Sequence, residues 1–536
     1  MKRFGKWALV VLGVLVVAWV AGNLLLEVQL PKRPDRALFP DPLDPEVSLR
    51  EAFDSLPHEE GDRAHLRLLD DNSQAWVERW RLLAGARKHL DISYFILKQD
   101  VFGMAFLGHL VQKAHEGVEI RILLDAMGTR MSRSFRGNDY LDALVNTEKI
   151  AVKMYRPVSF RYLDAFLTLN PVAIMISDHD KILLADGNRG LIGGRNISEE
   201  YFTPPEDEPT AFLDTDLVLF GPDTGAALEA AFKVQFDGGE AHDVEREEVD
   251  LEDSTADLLL AYRVMDAWLR GEPVPPETEA KIRERDLPWL DELRKAPNLR
   301  GMLQAPEPPP EWAEVEVRVI DSGCRLMKSD DYITRSLIRM VRSARREIFI
   351  QSPYMVLPKE AADVLEEAGE RGVRITLLTN SPLSSDNPMS QGVFLEQWPE
   401  LLARVPTMRI FVRGDRHNLH GKLAVFDRQL VLVGTYNLDP MSMVLNSELV
   451  AAAWSEPFAK EILKSRDQLI EQGTPRIYQY RILRGEKGDP LRDRDGKVRV
   501  DFGPDHHIEP AQMVWVKRYQ NLFHWIWELA GESPFL

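Results

Sequence analysis

Two short stretches of this chain carry the same chemistry at the same spacing. Asp178-His-Asp-Lys-Ile-Leu-Leu-Ala-Asp186 places His179, Lys181 and Asp186 in the order His-x-Lys-x4-Asp. Leu419-His-Gly-Lys-Leu-Ala-Val-Phe-Asp427 repeats it with His420, Lys422 and Asp427. Asn196 and Asn437 each follow their histidine by 17 residues, behind Gly193-Gly-Arg-Asn and Gly434-Thr-Tyr-Asn. In an extended segment, residues two apart share a face. Each histidine therefore shares a face with its lysine, and Asp178 and Asp180 point the other way. An imidazole beside an ammonium suits attack on a phosphodiester. The nitrogen is the nucleophile, and the lysine offsets charge on the non-bridging oxygens. The asparagine amides can donate to the same oxygens. One such half-site facing the other would put a histidine on each side of the phosphorus, as an in-line displacement needs. A lone His-x-Lys is commonly only a surface strand, and an aspartate after a strand is commonly a turn residue. We read Asp186 and Asp427 as structural members of the motif. It is the duplication that carries the functional reading.

The elements around the motifs are duplicated as well. Ala86-Arg-Lys-His-Leu-Asp-Ile reads as a helix end running into a strand, and Leu107 to Glu116 has helical periodicity. Gly117 closes that helix, and Val118 to Asp125 is a buried strand. Ala344 to Tyr354 and Glu370 to Asn380 repeat the two strands. The offsets are 258 residues for Ala86 to Ala344 and 255 for Gly117 to Gly372. A repeat this long predicts two similar α/β units, not a solenoid. The segments are an anchor at 1–30, a stalk at 31–60, a first domain at 61–243, and a charged helical insert with a Pro-rich linker at 244–312. A second domain follows at 313–470, then an extension at 471–536.

Of 536 residues, 44% are hydrophobic and 28% charged, as in ordinary globular chains. The net charge of −19 argues against a non-specific nucleic-acid binder, which needs a basic footprint. One cysteine, Cys324, rules out an internal disulfide and a thiolate zinc site. Trp7 to Leu26 is uncharged and long enough to span a bilayer as a helix. Lys2, Arg3 and Lys6 before it favour an exported body, while Lys32, Arg33 and Arg36 oppose that orientation. A cleaved signal peptide is the rival reading. Near the other end, Trp515, Val516, Tyr519, Leu522, Phe523 and Ile526 recur at helical spacing, as in an interfacial helix or one docked on the core. Asp505-His506-His507 in a polar loop reads as solvated, not as a metal site.

With both motifs and both sets of strands in view, the chain resembles the phospholipase D superfamily, and within it the bacterial cardiolipin synthases. Gly193-Gly-Arg-Asn-Ile-Ser-Glu-Glu-Tyr-Phe202 and Leu445-Asn-Ser-Glu448 carry the closer likeness. The resemblance implies two α/β domains, each a mixed sheet flanked by helices, sharing one active site with no metal and no cofactor. It implies a covalent phosphohistidine, with His179 as nucleophile and His420 as general acid and base. Lys181, Lys422, Asn196, Asn437 and Thr435 would hold phosphate. By position, Asp214 would orient His179 and Glu448 would orient His420. The sequence departs from the family's pattern at Asp178, Asp180, Thr435 and Met441, which puts headgroup specificity in doubt.

The implied partners are phospholipids and a bacterial-type inner membrane, with no nucleic acid. The leading activity is phosphatidyl transfer between phospholipids. Hydrolysis by the same chemistry, a nuclease, and a non-catalytic membrane scaffold are the alternatives. Donor, acceptor, the ranking of the two histidines and oligomeric state stay open.

Overall fold

A computed structural model describes residues 47–518 and 521, except 58–62, 132–138, 169–170, 245–251, 286, 323, 326–327, 330–331, 472–476 and 515. The expected anchor at Trp7 to Leu26 lies outside the described residues, as does most of the C-terminal aromatic segment. Among the described residues no helix is long and apolar enough to cross a membrane.

In the first half the strands are β1 Arg63–Leu69, β2 His89–Tyr94, β3 Glu119–Asp125, β4 Ile150–Tyr155, β5 Ile182–Ala185, β6 Arg189–Gly193, β7 Phe212–Leu213, β8 Asp216–Phe220 and β9 Ala241–Asp243. In the second they are β10 Trp312–Ser322, β11 Cys324–Arg325, β12 Lys328–Ser329, β13 Glu347–Gln351, β14 Arg374–Asn380, β15 Met408–Arg413, β16 Asn418–Leu419, β17 Leu423–Phe426, β18 Leu430–Gly434, β19 Glu448–Trp454, β20 Ile477–Ile482 and β21 Val500–Phe502.

Seventeen of them form one sheet. Its first half runs β9-β4-β3-β2-β5-β6-β8-β1. The second runs β10-β19-β18-β17-β13-β14-β15-β20-β21. The two orders mirror one another about the antiparallel β1–β10 pair. In both halves the parallel trio is made by crossover helices, and the remaining strands pair antiparallel, as a mixed sheet requires. The expectation of two separate sheets is therefore corrected. Pairing β1 with β10 satisfies two edges that would otherwise expose unpaired backbone groups.

Helices cover both faces of this sheet, and the residue alternation along each strand sorts the cores. Ile182 and Leu184 of β5, with Leu423 and Val425 of β17, belong to a core that is continuous across both halves. Leu183 and Ala185 face a core confined to the first half, which takes in helices Asn72–Gly85 and Val101–His115. Ala424 and Phe426 face the matching core of the second half, under helices Tyr332–Ser343 and Lys359–Glu370. The charged stretch after Val244 is helical at Glu252–Arg270, Pro276–Glu284 and Trp289–Arg294. The first of these buries Leu258, Ala261 and Met265 in the first-half core.

Candidate active site

The sequence places the His-x-Lys pairs inside strands. In the structure each pair lies just ahead of one, since β5 begins at Ile182 and β17 at Leu423. The residues before the strands pair with the opposite half instead. The His179 N–H donates to the Ser447 carbonyl at 3.1 Å, and the Ser447 N–H donates to the Ser177 carbonyl at 2.9 Å. In the same way β16 lies parallel to β7, and the His420 N–H donates to the Leu213 carbonyl at 2.7 Å. Each histidine is thus clamped beside the residue that precedes the other half's acid.

This clamping corrects the expected pairing of acids with histidines. His179 Nδ1 lies 3.0 and 3.1 Å from the two carboxylate oxygens of Glu448. His420 Nδ1 lies 2.5 Å from Asp214 Oδ2. The acids cross between the halves because β8 and β19 start at the seam and their leading residues reach over it. An Nδ1–H donated to a carboxylate fixes the tautomer and leaves Nε2 for chemistry.

Gly193 and Gly434 make this crossing sterically possible. A Cβ on Gly193 would come within 2.2 Å of Asp216 Oδ1, and one on Gly434 within 2.2 Å of the Leu449 carbonyl oxygen. Both glycines end the strands that run beside the acid-bearing segments.

All six ionisable groups are buried: His179, Lys181, Asp214, His420, Lys422 and Glu448. Lys181 Nζ donates to the His179 carbonyl at 2.8 Å. Lys422 Nζ lies against the His420 ring, 2.6 Å from Nδ1 and 3.2 Å from Nε2. Burial, then the two lysines, push the His179 imidazole well below its usual range, so it is neutral. Burial and Lys422 lower His420 too, but Asp214 opposes the shift. At Asp214 burial disfavours ionisation, yet Lys422 and His420 outweigh it and hold the carboxyl well below the carboxylate range. Burial lifts Glu448 to about 7 and brings Lys181 down to about 8. Two buried ammoniums thus face one firmly ionised acid and one acid lifted toward neutrality. Such a site lacks negative charge, and a phosphate diester would supply it.

Other expected residues are placed as follows. Asn196 accepts from the Ile96 N–H at 3.0 Å and donates to the Tyr201 hydroxyl at 3.0 Å, which leaves one amide hydrogen for a ligand. Asn437 Oδ1 is buried and has no partner among the described residues. Thr435, expected at the phosphate, instead donates its hydroxyl hydrogen to Glu448 and accepts the Leu449 N–H at 2.9 Å. It positions the acid, because its hydroxyl has a single hydrogen and Glu448 takes it. Asp186 and Asp427 stand at the far ends of β5 and β17. Asp186 accepts the N–H groups of Arg87, Lys88 and His89, and Asp427 those of Arg345, Arg346 and Glu347.

Asp178 and Asp180 do turn away from the lysines. Asp178 accepts from Ser93 at 2.7 Å and Asp180 from Ser447 at 2.9 Å. Burial raises both, Asp178 to about 7 and Asp180 well above the carboxylate range.

Some contributors carried no signal in the sequence. The Ser442 hydroxyl donates to Glu448 at 2.5 Å. Phe95 presents an edge to His179 at 5.1 Å between centroids, and Tyr201 does so to His420 at 5.5 Å. Phe95 and Tyr201 lie in stretches the sequence singles out for other reasons, at the first strand and in Gly193 to Phe202. Among the described residues, no group of three or more His, Cys, Asp or Glu is placed to hold a metal.

A duplicated mixed sheet with two buried His–Lys pairs, each imidazole held by an acid of the opposite half, defines a phospholipase D-type enzyme. The family described as "Cardiolipin synthase, PLD-like domain" matches residues 80–233 and 337–470, and the chain belongs to that family. It is 26% identical over 481 residues to cardiolipin synthase C of Escherichia coli (strain K12), covering 83% of this chain and 92% of that protein. An uncharacterized Helicobacter pylori protein is 24% identical over 438 residues, covering 78% and 81%. The crystal structure of phosphatidylserine synthase from Haemophilus influenzae Rd KW20 superposes with a TM-score of 0.57 at 12% identity, over 90% of this chain and 98% of that one. It shares the fold.

Proposed function

We propose that the protein transfers a phosphatidyl group from one phospholipid to the hydroxyl of another, as a cardiolipin synthase does, through a phosphohistidine. The observation that carries the reading is the crossed pairing of two buried histidines with Glu448 and Asp214, flanked by two buried lysines. His179, neutral with Nδ1–H donated to Glu448, attacks phosphorus through Nε2. The P–O bond to the leaving alcohol breaks, and His420 gives that oxygen a proton from Nε2. Asp214, firmly ionised, stabilises the His420 imidazolium that the step requires. The acceptor hydroxyl then loses its proton to His420 and attacks phosphorus. The P–N bond breaks and His179 is released. Lys181, Lys422 and the asparagine amides oppose charge on the non-bridging oxygens throughout. An N-terminal anchor at Trp7 to Leu26 would hold this site at a membrane.

The test is incubation of the full-length protein with phosphatidylglycerol, phosphatidylethanolamine or both, with products identified by mass spectrometry. The expected product is cardiolipin, with release of glycerol or the donor headgroup. Phosphatidic acid alone would make water the acceptor. Cleavage of a DNA oligonucleotide, with every phospholipid left intact, would overturn the reading.

A further inference from the structure

The repeat is not filled equally. In the first half, helix Asn72–Gly85 drives Trp76, Arg79 and Trp80 into the core. Trp76 and Trp80 lie 5.9 Å apart, Arg79 binds Asp216 at 2.9 Å, and Phe106 meets the Tyr94 ring edge-on at 5.8 Å. The 258-residue offset maps Trp76, Arg79 and Trp80 onto Thr334, Leu337 and Ile338 of helix Tyr332–Ser343. The 255-residue offset maps Phe106 onto Ala361. Asp216 and Val450 each stand two residues beyond their acid. In the second half, then, bulky and paired side chains give way to small or aliphatic ones.

Space opens where they are missing. Thr334, Leu337, Ile338, Ala361 and Val450 all line a cavity of about 120 Å³ between the sheet and helices Tyr332–Ser343 and Lys359–Glu370. Lys422, Ala424 and Phe426, alternate residues on one face of the β17 segment, line it in succession. It therefore extends along the strand from the catalytic lysine for roughly 13 Å, at about 3.3 Å per residue. Leu337, Ile338 and Ala361 are only partly buried, so the cavity reaches the surface between the two helices. A mainly apolar cavity of this order of size is large enough to take a short hydrocarbon segment.

We infer that this cavity receives the first segment of one acyl chain of the phospholipid whose phosphate Lys422 holds. The inference rests on the phospholipid reading above and adds a seat for the hydrocarbon. The occupant follows from continuity: one residue, Lys422, belongs both to the phosphate site and to the apolar wall. The positions that line this cavity carry Trp76, Arg79, Trp80 and Phe106 in the first half, so the two ends of the site differ, although the catalytic motifs are alike.

The test compares kcat/KM for dioleoyl and dihexanoyl phosphatidylglycerol in mixed micelles. Wild type should prefer the long chain. Ile338→Trp and Ala361→Phe restore the first half's residues and fill the void. Each should cut the long-to-short preference by about tenfold or more, since one methylene in an apolar pocket is already worth roughly that much. Filling a void should leave Tm unchanged or higher. If Ile338→Trp lowers Tm, Ala361→Phe decides the matter from the other helix. An unchanged chain-length preference in a stable filled variant would overturn this inference alone. Wild-type enzyme that turns over neither lipid, with phosphatidylethanolamine present or absent, would overturn the phospholipid reading and this inference with it.

Discussion

Glu448 is pulled two ways. Burial favours its neutral form, while Lys181, the hydroxyls of Ser442 and Thr435 that donate to it, and Lys422 favour the carboxylate. Its position near 7 means that acid converts it to a carboxylic acid, which no longer fixes His179 with Nδ1–H inward. Activity should therefore rise as pH climbs through about 7. Lys181, brought down to about 8, loses its charge as pH climbs further, and activity should fall. The expected profile of kcat/KM is a narrow bell with its optimum between these two values. Lys181→Arg keeps a charge at all working pH values, so it should move the alkaline limb upward. A flat profile from pH 6 to 9 would contradict this assignment of charges. At this scale the sequence revealed the histidines and lysines, because a duplicated motif is read directly from spacing. The partnership of the acids was not legible, since each acid lies nearer in sequence to the histidine it does not touch. Thr435 was misplaced for a related reason: a hydroxyl beside a phosphate site has no sequence mark of which neighbour it serves.

Asp186 and Asp427 act on elements, not on substrate. Both sit at positive φ, +52° and +50°, where the chain turns back after β5 and β17. Each carboxylate gathers three consecutive backbone N–H groups of the loop entering β2 or β13. Removing such an acceptor leaves part-buried donors unmet and a residue with a Cβ penalty in the left-handed region. Asp427→Ala should cost about 2–4 kcal/mol in urea unfolding, and Asp427→Asn less, because Asn tolerates that conformation and keeps one acceptor oxygen. The folded fraction of each should keep most of its kcat. An unaltered urea midpoint with abolished turnover would return these aspartates to the reaction. The strand at Val118 to Asp125 and the helix before it were plain from periodicity and from Gly117, whose φ is +98°. The His-x-Lys segments read as strand because their residues alternate. Their backbone partners belong to the other half, which no local pattern records.

Over the whole molecule, the duplication was legible from the two offsets, but the joining of the halves was not. Edge pairing of β1 with β10 makes one sheet, and its far face becomes a single shared core. That joint also brings the seam residues 213–214 and 447–448 against the opposite histidines, so neither half holds a complete site. Capture of the covalent intermediate tests whether the two histidines, as proposed, have distinct roles in one shared site. A phosphatidyl donor whose leaving group needs no proton would be mixed with His179→Asn and with His420→Asn, and peptides would be read by mass spectrometry. His420→Asn should accumulate a phosphatidyl adduct on the peptide that contains His179, and His179→Asn should form none. With ordinary lipid substrates both variants should lose about 10³-fold or more in kcat, and the double variant little further, because the two groups act as a unit. An adduct on the peptide containing His420, or near-normal turnover by either single variant, would contradict the account.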